Sequence, residues 1–273
     1  MDRSNVSLSF HATFPPSIRY ISEILQLAST NFRGTKEEIS EITGIPTGEG
    51  SGKVVPHIKY ANFMGIVDYA HKDSKYSLEL TKLGRIIYIE DKYLMEKLTK
   101  YLLNYFLCEK EDGAPHWGFI FNNFNYDLDI EYTLTTIEEK AKEYFGKSSK
   151  MTVVKSMYTG GYGFDDIKIM SETDNKNLVF NRLYIDYDAL YIYAYTLLYS
   201  WEKYFSDKVE LTIEDIVNTL RWNSKFGFDY TTILNVFDEL QNIGVLKINK
   251  QLNPITIIKT TTSEDVLSRL YDL

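Results

Sequence analysis

Cysteine is almost missing from this chain: Cys108 is the only one in 273 residues. That excludes an internal disulfide framework and any zinc or iron–sulfur centre built on cysteines. Histidine is scarce as well, at four, so metal chemistry would have to rest on scattered imidazoles and carboxylates. No apolar run reaches the roughly 18 to 20 residues that a membrane span needs. Met1 to Phe10 also lacks the charged start and apolar stretch of a secretory leader. A cytoplasmic protein with no membrane partner is expected. Surplus positive charge is missing too, since the net charge is −8, and this taken alone argues against nucleic acid as a partner.

What is present is enough apolar material, 44% of the residues, to give each of two or three small modules a core. The acid is unevenly spread. Residues 1 to 90 balance ten Lys/Arg against ten Asp/Glu, 91 to 206 carry thirteen against eighteen, and 207 to 273 seven against ten. Within 50 to 89 the count is six basic (Lys53, Lys59, Lys72, Lys75, Lys82, Arg85) to three acidic. One local surface can therefore be positive on an acidic protein.

The pattern divides into three parts. In residues 1–90, Ile18, Ile21, Ile24, Leu25 and Ala28 recur at helical spacing after Pro16. The chain then turns at Arg33-Gly34, and Thr35 to Glu38 fits a capping box opening a short helix that buries Ile39 and Ile42 and stops at Gly44. A glycine-rich loop, 46–52, leads to a third helix from about Val54 to Gly65. Ile66 to Tyr69 and Tyr76 to Leu80 read as two strands around the polar turn His71 to Lys75, and Thr81-Lys82-Leu83-Gly84-Arg85 starts another helix. Helices followed by a hairpin in this order are a winged helix-turn-helix. Residues 91–206 read as a helical middle domain, with the aromatic segment Asp186 to Phe205 as its central packing helix. Residues 207–273 repeat the opening plan: a helix capped at Thr212, a second opened by Asp229, and a hairpin of Val245 to Asn249 and Ile255 to Lys259. With Asp238 and Glu239 on its long helix, this second module is expected to contact a protein partner or a second copy of the chain rather than phosphate.

The run Gly48 to Lys53 resembles a P-loop only in part, because Thr47 stands where the first glycine belongs and Val54 where Ser or Thr must follow the lysine. The plainer reading is a flexible loop, Ser51 included, leading into a helix N-terminus whose free N–H groups can hold one DNA phosphate. On the third helix, wheel arithmetic places Val54, Ile58, Ala61 and Gly65 inward and Lys53, Lys59, Tyr60 and Phe63 outward. Lysines and aromatics without acid suit a recognition face, and Lys72 and Lys75 on the wing extend it. Asp127, Asp129 and Glu131 alternate as on one face of a strand, which reads as a solvated edge rather than a metal site. Asp165-Asp166 gets the same reading. Cys108 among Tyr105, Phe106 and Leu107 is a packing residue rather than half of a thiol–imidazole pair with His116. His11, between Phe10 and Phe14, reads as a hydrogen-bonded anchor for the N-terminal arm.

Taken in order, these segments resemble the bacterial family catalogued as domain of unknown function number four thousand and seven. Its opening Phe-x-x-His-Glu-Thr-Phe-like motif is matched by Phe10-His11-Ala12-Thr13-Phe14, with Ala12 where the family has an acidic residue. Gly48 to Tyr60, Thr81 to Gly84, Trp117 to Phe124, and Thr152 to Tyr158 with Asp165-Asp166 continue the likeness. Relatives are often encoded beside a cysteine desulfurase and a sulfur transferase that place sulfur in the DNA backbone, and those two proteins are the partners the resemblance implies. The expectation is a mainly α protein, with winged modules at both ends of a helical middle, that binds DNA within a modification or defence system. It is expected to need no cofactor, to catalyse nothing, and to associate with itself if its C-terminal module pairs. Two other readings stay open: a protein–protein scaffold, and a metal-dependent nuclease using Asp127, Asp129 or Asp165.

Overall fold

The computed structural model describes residues 7–48, 52–251 and 253–272. Helix α1 (Ile18–Ala28) forms where the apolar stripe ran, and all five stripe residues are buried. Each buried Ile or Leu contributes about 1.5–3 kcal/mol. Helix α2 (Lys36–Thr43) carries the expected capping box: the Thr35 hydroxyl accepts the Glu38 N–H at 3.2 Å and the Glu38 carboxylate accepts the Thr35 N–H at 2.7 Å. Gly44, at φ 69°, ends it. Ile39 is fully buried, but Ile42 is 60% exposed, against expectation. It sits about 60° round the helix from Ile39, outside the narrow strip that so short a helix buries.

Arg33-Gly34 is not a free turn. It is strand β1, paired antiparallel with β3 (Lys75–Leu80), which pairs in turn with β2 (Val67–Lys72). The sheet order is β1-β3-β2. The hairpin is longer and its turn tighter than the polar run implied. Only Asp73 and Ser74 form the turn, both left-handed at φ 52° and 60°, as a two-residue turn matching strand twist requires. Helix α3 (Val54–Phe63) precedes the hairpin and α4 (Lys82–Asp91) follows it. Thr81 locks this junction: its hydroxyl donates to the Gly65 carbonyl at 2.6 Å and accepts the Gly84 N–H at 2.9 Å. A Cβ on Gly84 would stand 1.9 Å from the Ile66 carbonyl oxygen, so that position admits glycine alone.

Beyond α4 the chain is not purely helical. Helices α5 (Lys97–Leu107) and α6 (Pro115–Asn122) are buried almost all round, at Thr99 to Leu107 and His116 to Phe121, as helices at the centre of a core must be. Strand β4 (Glu131–Tyr132), helices α7 (Leu134–Phe145) and α8 (Thr152–Thr159), and strands β5 (Met170–Glu172) and β6 (Leu178–Phe180) follow. The three strands make a second antiparallel sheet, β4-β6-β5, unannounced by the sequence because strands of two or three residues are too short to show alternation.

The chain is therefore mixed α/β, with small antiparallel sheets. It divides into two compact units: the described residues of Met1–Tyr126 with Ile130–Val179, and those of Asp127–Asp129 with Phe180–Leu273. The N-terminal module and the middle share the first unit, and the boundary falls near residue 180 rather than at 206. Helix α9 (Leu190–Tyr204) is accordingly the central helix of the second unit, packed by α10 (Tyr230–Asn242) and α11 (Ser263–Leu267). Strand β7 (Glu210–Thr212) pairs with β9 (Thr256–Lys259), and β9 with β8 (Leu246–Asn249). Between β7 and α10, where a regular helix was expected, lie a π turn at Asp215–Thr219 and a 3₁₀ turn at Asn223–Phe226.

The second unit repeats the plan of the described residues up to about residue 80. Helix, strand, helical turn, helix and hairpin succeed one another, and the sheet orders β1-β3-β2 and β7-β9-β8 correspond. The register corresponds as well. Thr260 donates to the Gly244 carbonyl as Thr81 does to Gly65, and each bond joins residues 16 apart. In both copies the next backbone bonds, Thr81 N–H to Ile66 and Thr260 N–H to Val245, are also the same.

Candidate functional site

Of the six residues expected to touch DNA, the structure describes five, and one of these, Tyr60, is buried. Ser51 lies outside the described residues. Lys72 and Lys75 are exposed and face each other across the hairpin tip. Lys53 is half-buried, its ammonium 5.1 Å from the Phe14 ring and 5.7 Å from the Tyr20 ring. Lys59 is half-buried too, and desolvation lowers its pKa.

Tyr60 and Phe63 overturn the outward-facing expectation, because they are 0% and 5% exposed. The Tyr60 hydroxyl donates to the Phe14 carbonyl at 2.8 Å, and its ring meets Phe10 at 5.2 Å and Trp117 at 5.7 Å. Phe10 also meets Phe63, at 4.9 Å. Wheel arithmetic found the strip of α3 that faces α1, but it could not foresee that the N-terminal arm and α6 close over the opposite side. Tyr60 is therefore a core residue, with no ring face left for a base.

Three histidines, His11 in the N-terminal arm, His57 on α3 and His116 on α6, separate by their hydrogen bonds. His57 is satisfied at both nitrogens: Nε2 accepts the Ser17 N–H at 3.2 Å and Nδ1 donates to the Lys53 carbonyl at 2.7 Å. Burial, partly offset by that second bond, lowers its pKa to about 4. It is a neutral structural anchor. His11 accepts the Thr13 N–H at Nδ1, 3.0 Å away, and pins the arm as the sequence suggested, but its buried Nε2 has no partner among the described residues. His116, with Nε2 at 2.6 Å from the Ser149 hydroxyl, has an unpartnered Nδ1. The two rings are 5.0 Å apart. Burial, and then the neighbouring His11, lower the His116 pKa to about 4, and burial lowers that of His11. The meeting of residues 11, 116 and 149 was invisible in the sequence, where only the placement of His11 between phenylalanines gave a signal.

Two of the acidic residues singled out in the sequence, Asp129 and Asp166, are engaged in structure. Asp129 is not on a strand: at φ 64° it turns back to accept the Arg182 N–H at 2.8 Å and its Nε at 3.1 Å, which holds the carboxyl below the usual range. Arg182 also pairs with Asp229. Asp166 is ion-paired to the buried Lys100. Cys108 is buried, as its neighbours implied. Among the described residues, no three His, Cys, Asp or Glu side chains gather where a metal ion could be held, and no helix is long and apolar enough to cross a membrane.

Comparison with known proteins adds a family and a fold. The family model described as a protein of unknown function, DUF4007, matches residues 11–159. No curated protein matches the chain. Two solved structures resemble it over 98% of its length and 88% of theirs: an SspB crystal structure, with a TM-score of 0.79 at 15% identity, and a magnesium ion-bound SspB crystal structure, with a TM-score of 0.78 at 14% identity.

Proposed function

The chain belongs to the DUF4007 family, and on that premise we propose that it is a DNA-associated, non-catalytic component of a bacterial DNA modification or defence system. The carrying observation is the repeated order of helix, strand, two helical segments and hairpin, which we read as a winged-helix module at each end, with Lys72 and Lys75 opposed on the exposed first wing. Contact is made to the phosphodiester backbone by that wing. It is not made by α3 in a groove, because the face of α3 that would enter one is filled by Tyr60 and Phe63. The likeness in fold to SspB supports the reading. Phosphorothioation is the pathway implied by the family resemblance, with the sulfur transferase or cysteine desulfurase as protein partners for the C-terminal module.

Each lysine that neutralises a phosphate releases close to one counterion. Replacing Lys72 and Lys75 together by alanine should therefore flatten the log-affinity against log-salt slope by about 2 on any sequence. Fluorescence anisotropy of a labelled duplex across a salt series measures this. An unchanged slope in the folded double variant moves the assignment to a protein scaffold.

A second reading, magnesium-dependent strand cleavage, is favoured by the magnesium bound in one of the solved SspB structures. It predicts that magnesium converts supercoiled plasmid to open circles in the presence of the protein, and intact plasmid removes it.

A further inference from the structure

Helix α7 carries its inward face past the point where packing ends. Ile137 and Ala141 are fully buried on that face, and Tyr144, seven residues after Ile137, returns to it. Tyr144 is nevertheless 55% exposed, because its ring lines a cleft of about 510 Å³. Phe119 and Phe145 line the same cleft and brace that ring, with centroids 5.2 and 5.0 Å from it. Phe119 is buried and Phe145 half-buried. One wall of the cleft is therefore an aromatic platform held from behind.

The rest of the lining supplies charge. Lys110, from the connection between α5 and α6, and Lys147, just after α7, both line the cleft. Both are exposed, and neither has an ion pair among the described residues. Glu111 is the one acid in the lining. A braced ring with an open face can stack on a planar group, and two ammonium groups without carboxylate partners attract an anion. Inorganic phosphate alone would leave the aromatic wall unused, and an uncharged ring would leave the lysines unused. The volume lies within the range of about 300–1,000 Å³ that small-molecule sites occupy.

We infer that this cleft takes one nucleotide unit, its base stacked against Tyr144 and its phosphate paired with Lys110 and Lys147. Every base has a face that can stack, so the site selects a nucleotide and not a sequence. The nucleotide is either free in solution or part of a single strand, because a base inside a duplex is already stacked on both faces. The cleft is built within the first unit and uses neither lysine of the wing. It stands or falls independently of phosphate contact there.

The test is isothermal titration calorimetry of the full chain with deoxyadenosine monophosphate, deoxyadenosine and inorganic phosphate, each to millimolar concentration at constant ionic strength. The monophosphate should bind saturably and about tenfold or more tighter than either part. Tyr144→Ala should weaken it about tenfold, and Tyr144→Phe, which keeps the ring, should bind as the wild type does. Lys110→Gln combined with Lys147→Gln should bring the monophosphate to the affinity of deoxyadenosine and leave deoxyadenosine unchanged. The Lys72/Lys75 double variant should bind all three ligands unchanged. Tyr144, Lys110 and Lys147 are exposed, so these replacements open no cavity in the core. Absence of saturable monophosphate binding in the wild type, or equal binding by Tyr144→Ala, overturns the site. Tighter binding of acetylated phenylalanyl-aspartate than of the monophosphate also overturns it and gives the cleft to a protein partner. Repeating the titration with saturating single-stranded oligodeoxyadenylate identifies the source. Competition assigns a nucleotide of a single strand and independent binding a free nucleotide, and both outcomes support the site.

Discussion

The third helices of the two repeats share a framework and differ on one face. Val54, His57, Ile58 and Ala61 of α3 correspond in register to Ile233, Val236, Phe237 and Leu240 of α10, and all eight are buried. The next strip separates them. In α3 it is Pro56, Tyr60 and Phe63, buried; in α10 it is Asn235, Glu239 and Asn242, of which Glu239 is half-buried and the other two exposed. Their lysine and aspartate are also exchanged, since Lys59 corresponds to Asp238, which pairs with Lys250 at 2.8 Å. Topology alone therefore does not create a groove-reading helix. One copy has that face covered by apolar neighbours, and the other leaves it open but acidic, which is why the proposed phosphate contact falls on the hairpin of the first copy and the proposed protein contact on the second module.

The strongest way to break this comparison is to truncate matching positions. Tyr60→Ala should cost about 3–5 kcal/mol, through cavity formation and the lost bond to Phe14. Glu239→Ala should stay within about 0.5 kcal/mol. Urea denaturation of both variants measures the difference, and equal costs would mean that the α3 face is open after all.

Acid should sharpen the comparison between the two units, because all four histidines lie in the first. His57 and His116 bind protons more weakly when folded, at about 4 against the usual 6.5. Their stabilisation is thus complete above about pH 6.5 and is lost as pH falls toward 4, by roughly 3 kcal/mol apiece at most. In the second unit Asp229 and Asp265 have depressed pKa values, so their contribution fades only below the ordinary carboxylate range. Hydrogen exchange between pH 7 and 4 should show protection falling first in the first unit. Uniform loss across the chain would contradict this assignment.

The smallest effect concerns the paired threonines. Thr81→Ala removes both the bond to Gly65 and the cap of α4, and should cost about 2 kcal/mol. Thr260→Ala removes only the bond to Gly244, since Thr262 caps α11, and should cost about 1 kcal/mol or less. Thermal or urea unfolding that ranks them in the reverse order would undo the proposed equivalence of the two junctions.

Local signals in the sequence are legible where one residue type answers one backbone need. The capping box at Thr35 and Glu38, the stops at Gly44 and Gly244, the cap at Asp229 and the stripe of α1 all stand where spacing put them. The candidate site was less legible. The exposure of Lys72 and Lys75 is legible because charged residues at a hairpin tip have no neighbour to bury them. The burial of Tyr60 is not legible, because a helix wheel ranks faces by polarity and a tyrosine is compatible with either a wet or a dry face.

By itself, then, the sequence determined helices α1 to α3, the two hairpins and the family, since each rests on contacts between residues close along the chain or on short motifs. Only the tertiary structure decided which strip of α3 is closed, that α9 belongs with the C-terminal module, and that His11, His116 and Ser149 meet. Those outcomes depend on packing between segments up to a hundred or so residues apart. No periodicity encodes such packing, because burial of any one face is settled by whichever apolar surface arrives against it.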